Sequence, residues 1–171
     1  ETLPMTFSPV SIENPTACAA FSALIPAYMQ ELDVHAGREH HPEWAPKWAN
    51  SMIALQGEPC RHLELCYDNG ELIGFFYGKK DQKGHRGEIR PGWGYVMEFY
   101  VQPCFRRRGY GKQMYARLEA LLLADGVTQA YLTADPVTGD PFWRSVGFVK
   151  TATRSAENGL YVYEKNLLPT F

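Results

Sequence analysis

The densest group of residues able to do chemistry is Arg106-Arg107-Arg108-Gly109-Tyr110-Gly111-Lys112, four cations and two glycines within seven positions. Such a turn running into a helix is a recipe for an anion site. The first backbone N–H groups of a helix have no partner within it, the helix dipole adds about half a positive charge at that end, and glycine lets a phosphate approach the backbone closely. Two common nucleotide loops do not fit. A Walker loop needs an earlier glycine and a hydroxyl residue after Gly111-Lys112, and a dinucleotide fingerprint needs glycine where Met114 stands. The Gly-x-Gly alone leaves a solvated turn as the alternative.

Other clusters point to less. His35, His40 and His41, with Glu39 and Glu43, match no standard metal-ligand spacing and read as loop residues, so no metal is expected. The cysteines, Cys18, Cys60, Cys66 and Cys104, lack a Cys-x-x-Cys pair and read as free thiols, with Cys104 activated by the neighbouring arginines. The formal net charge of −2 argues against a nucleic-acid partner. No apolar run approaches the roughly 18 residues of a membrane span, and no signal peptide opens the chain, so a cytoplasmic protein is expected. With 45% hydrophobic and 21% charged residues, the 171-residue chain is expected to form one domain over 1–171.

The elements that must position the basic turn can be placed from periodicity. Phe21, Leu24, Ile25 and Tyr28 predict a helix over 17–31 that Pro26 kinks or divides. A second helical patch covers 44–55, with Trp48, Met52 and Leu55 on one face. Two apolar runs around Asp68-Asn69-Gly70 predict a β-hairpin. The segment 95–103, "YVMEFYVQP", reads as a central strand. Met114, Leu118, Leu121 and Leu122 then give an amphipathic helix stopped by Gly126. A strand over 129–136, a short helix before Gly147 and a last strand over 159–167 complete a mixed α/β fold.

The stretch from Phe99 to Phe148 resembles the Gcn5-related N-acetyltransferase (GNAT) family, whose hallmark is Gln/Arg-x-x-Gly-x-Gly/Ala between the fourth strand and third helix. Arg106-Arg107-Arg108-Gly109-Tyr110-Gly111 satisfies it, with Val101-x-Pro103 before it and Phe142-x-x-x-x-Gly147-Phe148 after it. The resemblance covers about 94–165 well and the N-terminal part only in outline. It implies an α+β domain with a mixed, mostly antiparallel central sheet flanked by helices, and a cofactor cleft between the fourth and fifth strands. It also implies an acetyl-CoA-dependent enzyme moving an acetyl group directly to a primary amine, with a small-molecule acceptor favoured over a protein. Many relatives dimerise, which leaves a homodimer open.

Residue by residue, the resemblance places the backbone of Phe99, Tyr100 and Val101 along the pantetheine arm and Arg106, Arg107, Arg108, Gly109, Tyr110, Gly111 and Lys112 around the pyrophosphate. Glu98 is the candidate base, since an ammonium with a pKa of about 10.4 must lose a proton before it can attack. The family's Phe-Tyr, whose hydroxyl serves as acid, is replaced here by Phe142-Trp143, and indole N–H is no practical acid. Tyr161 or Tyr163 on the last strand, or solvent, would then protonate the thiolate, while Phe142 and Trp143 pack beside the thioester. Tyr28, Trp44 and Trp48 lie where the family builds its acceptor side, lining a pocket or filling a core. The missing tyrosine motivates a rival reading: a coenzyme A-binding sensor or interaction module with little turnover.

Overall fold

A computed structural model of the protein describes residues 5–86, 89–135 and 139–168. Seven strands form one sheet in the order β1-β2-β3-β4-β5-β7-β6. They are β1 (Thr6–Pro9), β2 (Arg61–Asp68), β3 (Glu71–Lys80), β4 (Gly94–Val101), β5 (Gln129–Ala134), β6 (Val149–Arg154) and β7 (Tyr161–Asn166). The helices are α1 (Pro15–Ala36), α2 (Ala45–Ala54), α3 (Tyr110–Ala124) and α4 (Asp140–Ser145). The sheet is mixed: β1 and β2, β5 and β7, and β6 and β7 pair antiparallel, whereas β4 and β5 run parallel through Gly94–Ala130 and Tyr95–Tyr131.

The chain divides into two compact units, Glu1–Phe76 with Phe99–Tyr110, and Tyr77–Glu98 with Gly111–Phe171. In the first, Asn14 caps α1 by accepting from the Ala17 N–H at 3.1 Å, and Gly37, at φ 65°, ends it. Pro26, which is exposed, does not divide the helix: α1 is continuous through it. The buried side of α1 carries Phe21 and Tyr28, which meet Phe75 of β3 edge-on at 5.0 and 5.2 Å. Tyr28 also stacks on Trp48 of α2 and packs against Tyr100 of β4. Such aromatic pairs add about 0.5–1.5 kcal/mol each beyond simple burial.

The β2–β3 hairpin turns at Asn69 and Gly70 with φ of 51° and 81°, the left-handed pair its sequence predicts. Gly74 of β3 has a positional reason: a Cβ there would lie 1.9 Å from the Tyr100 carbonyl oxygen. Only glycine lets the β4 backbone approach this closely.

In the second unit α3 buries Met114, Tyr115, Leu118 and Leu122. Leu118 sits over Gly78, where a Cβ would be 2.8 Å from the leucine methyl, and Tyr115 meets Trp143 and Phe148 edge-on. Leu121, predicted on the same face, is only half-buried. Gly126, at φ 83°, ends α3, with the Val127 N–H returning to the Leu122 carbonyl at 3.0 Å. Two strands escape a reading of the sequence. β1 is four residues long and ends in proline, and β6 is an edge strand whose mostly exposed side chains show no alternation. Pro136, the expected end of the fifth strand, lies outside the described residues.

Candidate active site

The segment between β4 and α3 is built by alternating backbone conformations. A single tight turn spans Pro103–Phe105, Arg106 is extended, and Arg107 and Gly109 take φ of 63° and 84° before α3 begins at Tyr110. Arginine in the left-handed region costs about 1–2 kcal/mol. Strain of this kind is found where function over-determines the backbone, and left-handed residues among right-handed ones turn successive N–H groups toward one concavity.

The side chains of this segment fall into two groups. Arg106 Nη2 donates to both carboxylate oxygens of Glu31 on α1 at 2.8 and 2.7 Å, and its Nε donates to the Val101 carbonyl at 2.8 Å. Tyr110 donates its hydroxyl to Asp68 at 2.5 Å, which pushes the phenol pKa up. Arg107 and Lys112, by contrast, are exposed and have no partner among the described residues, and Arg108 meets only the Phe105 ring, at 5.9 Å. The two motif glycines differ as well. A Cβ at Gly109 would meet nothing within 4 Å, whereas one at Gly111 would lie 2.9 Å from the Phe142 ring. Gly109 opens the backbone to solvent, and Gly111 makes room for a side chain.

Along β4, Glu98, Phe99 and Val101 are half-buried and Tyr100 is buried. Burial, aided by the Glu31 charge and opposed by Arg106, raises the Tyr100 pKa. The Tyr100 side chain is therefore core.

On α4, Trp143 is buried between the rings of Phe142, Tyr115 and Phe148. Tyr163 of β7 donates its hydroxyl to Asp140 Oδ1 at 2.5 Å, and Asp140 Oδ2 accepts from Arg144 Nε at 2.8 Å. Burial and this bond raise the Tyr163 pKa to about 12, and the same bond draws the Asp140 carboxyl below its ordinary value. Tyr161 is the opposite case. Its oxygen accepts from Arg154 Nη2 at 3.0 Å, Lys150 Nζ lies 3.9 Å from the ring centroid, and the cations lower its pKa, Arg154 most.

The histidine cluster is a set of local pairs: His40 with Asp33 at 3.1 Å, and His41 with Glu43 at 3.2 Å. Among the described residues no group of three or more His, Cys, Asp and Glu side chains is placed to hold a metal ion. The three acceptor-side aromatics separate: Tyr28 and Trp48 pack together, whereas Trp44 is 56% exposed and stacks on His41. Cys104 is exposed.

One polar centre has no counterpart in the sequence reading. Asp81 is fully buried and accepts from the Tyr131 hydroxyl at 2.5 Å and from the backbone N–H groups of Arg90 and Gln82 at 2.7 and 3.1 Å. Buried Lys79 lies 3.4 Å from it and contacts His85 Nδ1 at 2.9 Å. Burial alone would push the Asp81 pKa up, but these donors outweigh it and hold the carboxyl low. The Asp81 N–H bonds the Trp93 carbonyl and the Gly92 N–H bonds the Asp81 carbonyl, so the carboxylate closes the β3–β4 connection from inside. Aspartate in a charged, glycine-rich connector carries no sequence mark of burial.

The chain belongs to the acetyltransferase (GNAT) family, whose model matches residues 22–148. Its fold is similar to that of a PaiA N-acetyltransferase from Thermoplasma acidophilum, crystallised with coenzyme A, at 15% identity and TM-score 0.69 over 96% of this chain and 99% of that one. It is similar also to an acetyltransferase from Thermus thermophilus (19%, TM-score 0.69, 96% and 98%) and to an aminoglycoside 6'-acetyltransferase type Ii (17%, TM-score 0.70, 96% and 99%). No curated protein sequence matches the chain. Among the described residues no helix is long and apolar enough to cross a membrane.

Proposed function

We propose that the protein transfers an acetyl group directly from acetyl-CoA to a primary amine, with a small molecule as the favoured acceptor. The observation that carries this reading is the Arg107–Lys112 segment, where left-handed backbone leads into the first turn of a 15-residue helix and Arg107 and Lys112 have no partner among the described residues. The pyrophosphate would lie against the N–H groups of Gly109 through Lys112, with Arg107, Arg108 and Lys112 supplying charge. The backbone of Phe99 to Val101 would pair with the amide-rich pantetheine arm as an added strand.

Glu98 would take the proton of the acceptor ammonium, directly or through one water. The free amine then attacks the thioester carbonyl, the C–N bond forms, and a backbone N–H of β4 holds the oxyanion. Collapse breaks the C–S bond, and the nitrogen loses its second proton to solvent as the amide forms. The departing thiolate takes a proton from a donor that solvent reprotonates, and Glu98 releases the first proton to solvent. Tyr163 is the weaker of the two candidate donors, because its hydroxyl is already engaged in a hydrogen bond to Asp140 and its pKa stands at about 12. Tyr161, whose oxygen accepts from Arg154 and whose proton is left to donate, is the better one. Trp143, enclosed by three aromatic rings, supplies packing.

A coenzyme A-binding sensor is the second reading, favoured by the engagement of Tyr163 and by tryptophan at position 143. The test is calorimetry with acetyl-CoA followed by thiol release over a panel of small amines, aminoglycosides and peptides. Binding with release for at least one small amine is the expected result. Binding with no release above buffer for any acceptor selects the sensor, and no binding overturns both.

A further inference from the structure

We propose that Glu31 and Asp68 are positioning residues that hold the phosphate loop ready for its ligand. The loop is tied at both ends by side chains the motif does not include. At one end Arg106 is fixed three ways: by both oxygens of Glu31, by the Val101 carbonyl, and by the Tyr100 ring at 5.6 Å. At the other, Tyr110 is fixed by Asp68 in the β2–β3 hairpin. Between these ties stand Arg107, Arg108 and Gly109, the exposed part with the left-handed backbone. Two consequences follow. Arg106, although it is the first residue of the motif, gives its Nε and Nη2 to the protein and acts through the loop rather than on phosphate. The two carboxylates work against simple electrostatics, since each sets a negative charge beside a loop meant for a polyanion.

That opposition makes the roles separable. Removing a negative charge about 8 Å from an anion, in water-like surroundings, tightens binding by about two-fold. Removing a tie frees several loop residues whose ordering must then be met on binding, at about 1 kcal/mol or more for each backbone fixed, and weakens it. The sign of the change therefore decides.

The inference rests on the reading that this loop receives the phosphates of acetyl-CoA, and the experiment has one arm that does not. In Glu31→Ala, alanine favours the helix, so α1 is not weakened by propensity. Glu31→Ala and Asp68→Ala are expected to raise the Kd and KM for acetyl-CoA about five-fold or more, with kcat at saturation and the acceptor KM little changed. Glu71→Ala removes a carboxylate whose charge reaches Tyr110 without bonding it, and is expected to tighten binding slightly or leave it alone. Backbone NMR order parameters at Arg107 to Gly109 without ligand are expected to fall in the first two variants and not in the third. Equal or tighter acetyl-CoA binding by Glu31→Ala and Asp68→Ala overturns the proposal, as do unchanged order parameters at those residues. If the wild type binds no acetyl-CoA, the functional reading fails and the order parameters alone decide the ties.

Discussion

The two ends of β4 treat charge in opposite ways. Before Gly94 the chain buries Asp81 with Lys79 and surrounds the carboxylate with donors. After Val101 it exposes Arg107 and Lys112 with no partner among the described residues and holds arginine at φ 63°. A satisfied buried network specifies structure, because any missing partner leaves a desolvated charge. Unpartnered cations on strained backbone contribute little to folding, and in the proposed function they are the groups left for a ligand. The difference separates charges engaged within the fold from charges exposed to solvent, although both segments read as charged, glycine-rich connectors.

The largest effect that would break this contrast is at Asp81. Asp81→Ala is expected to cost about 3–5 kcal/mol by leaving Lys79 without its counter-charge, measured by urea unfolding, while the folded fraction binds acetyl-CoA as before. A large loss of affinity without loss of stability would invert the assignment. Next comes Gly111→Ala, which must displace the Phe142 ring and is expected to cost about 1–3 kcal/mol. Partial recovery on adding Phe142→Leu would trace the cost to that contact.

Arg107→Ala should leave the melting temperature within a degree or two and raise the Kd for acetyl-CoA about ten-fold, the loss of one hydrogen bond to a charged group. The difference from wild type should shrink in high salt. The smallest effects are in the pH dependence of stability. Asp81 has a lowered folded pKa, so its contribution is present above the ordinary value of 3.8 and is lost as the pH falls below it. Tyr163 has a raised one, so its contribution is present below 10.0 and is lost as the pH climbs toward about 12. Tyr163→Phe should reduce that alkaline limb, to which Tyr100 and Tyr110 also contribute, and should weaken the acid limb slightly by removing the bond that lowers Asp140, as read from melting curves across pH.

Much of the frame was legible in the residues alone. Asn69-Gly70, the β-branched and aromatic run of β4, the spacing of Met114, Leu118 and Leu122, and the Arg/Gly motif are local patterns whose physics acts within a few residues. Pro26 does not end α1, because the packing of Phe21, Leu24, Ile25 and Tyr28 on the buried side holds the helix across it, and local propensity does not count that packing. β6 was hidden because an exposed edge strand has no alternation to read, and only pairing with β7 makes it a strand.

By itself, then, the sequence determined the order of the elements other than β1 and β6, the family and the basic turn before α3, since these depend on short-range backbone preference and spacing. Only the tertiary structure decided which charges are engaged. Glu31 reaches Arg106 from 75 positions away and Asp68 reaches Tyr110 from 42, while Asp140 accepts from the Tyr163 hydroxyl across 23. Hydrogen bonds and ion pairs depend on distance in space, and a chain carries no local mark of which carboxylate will arrive there.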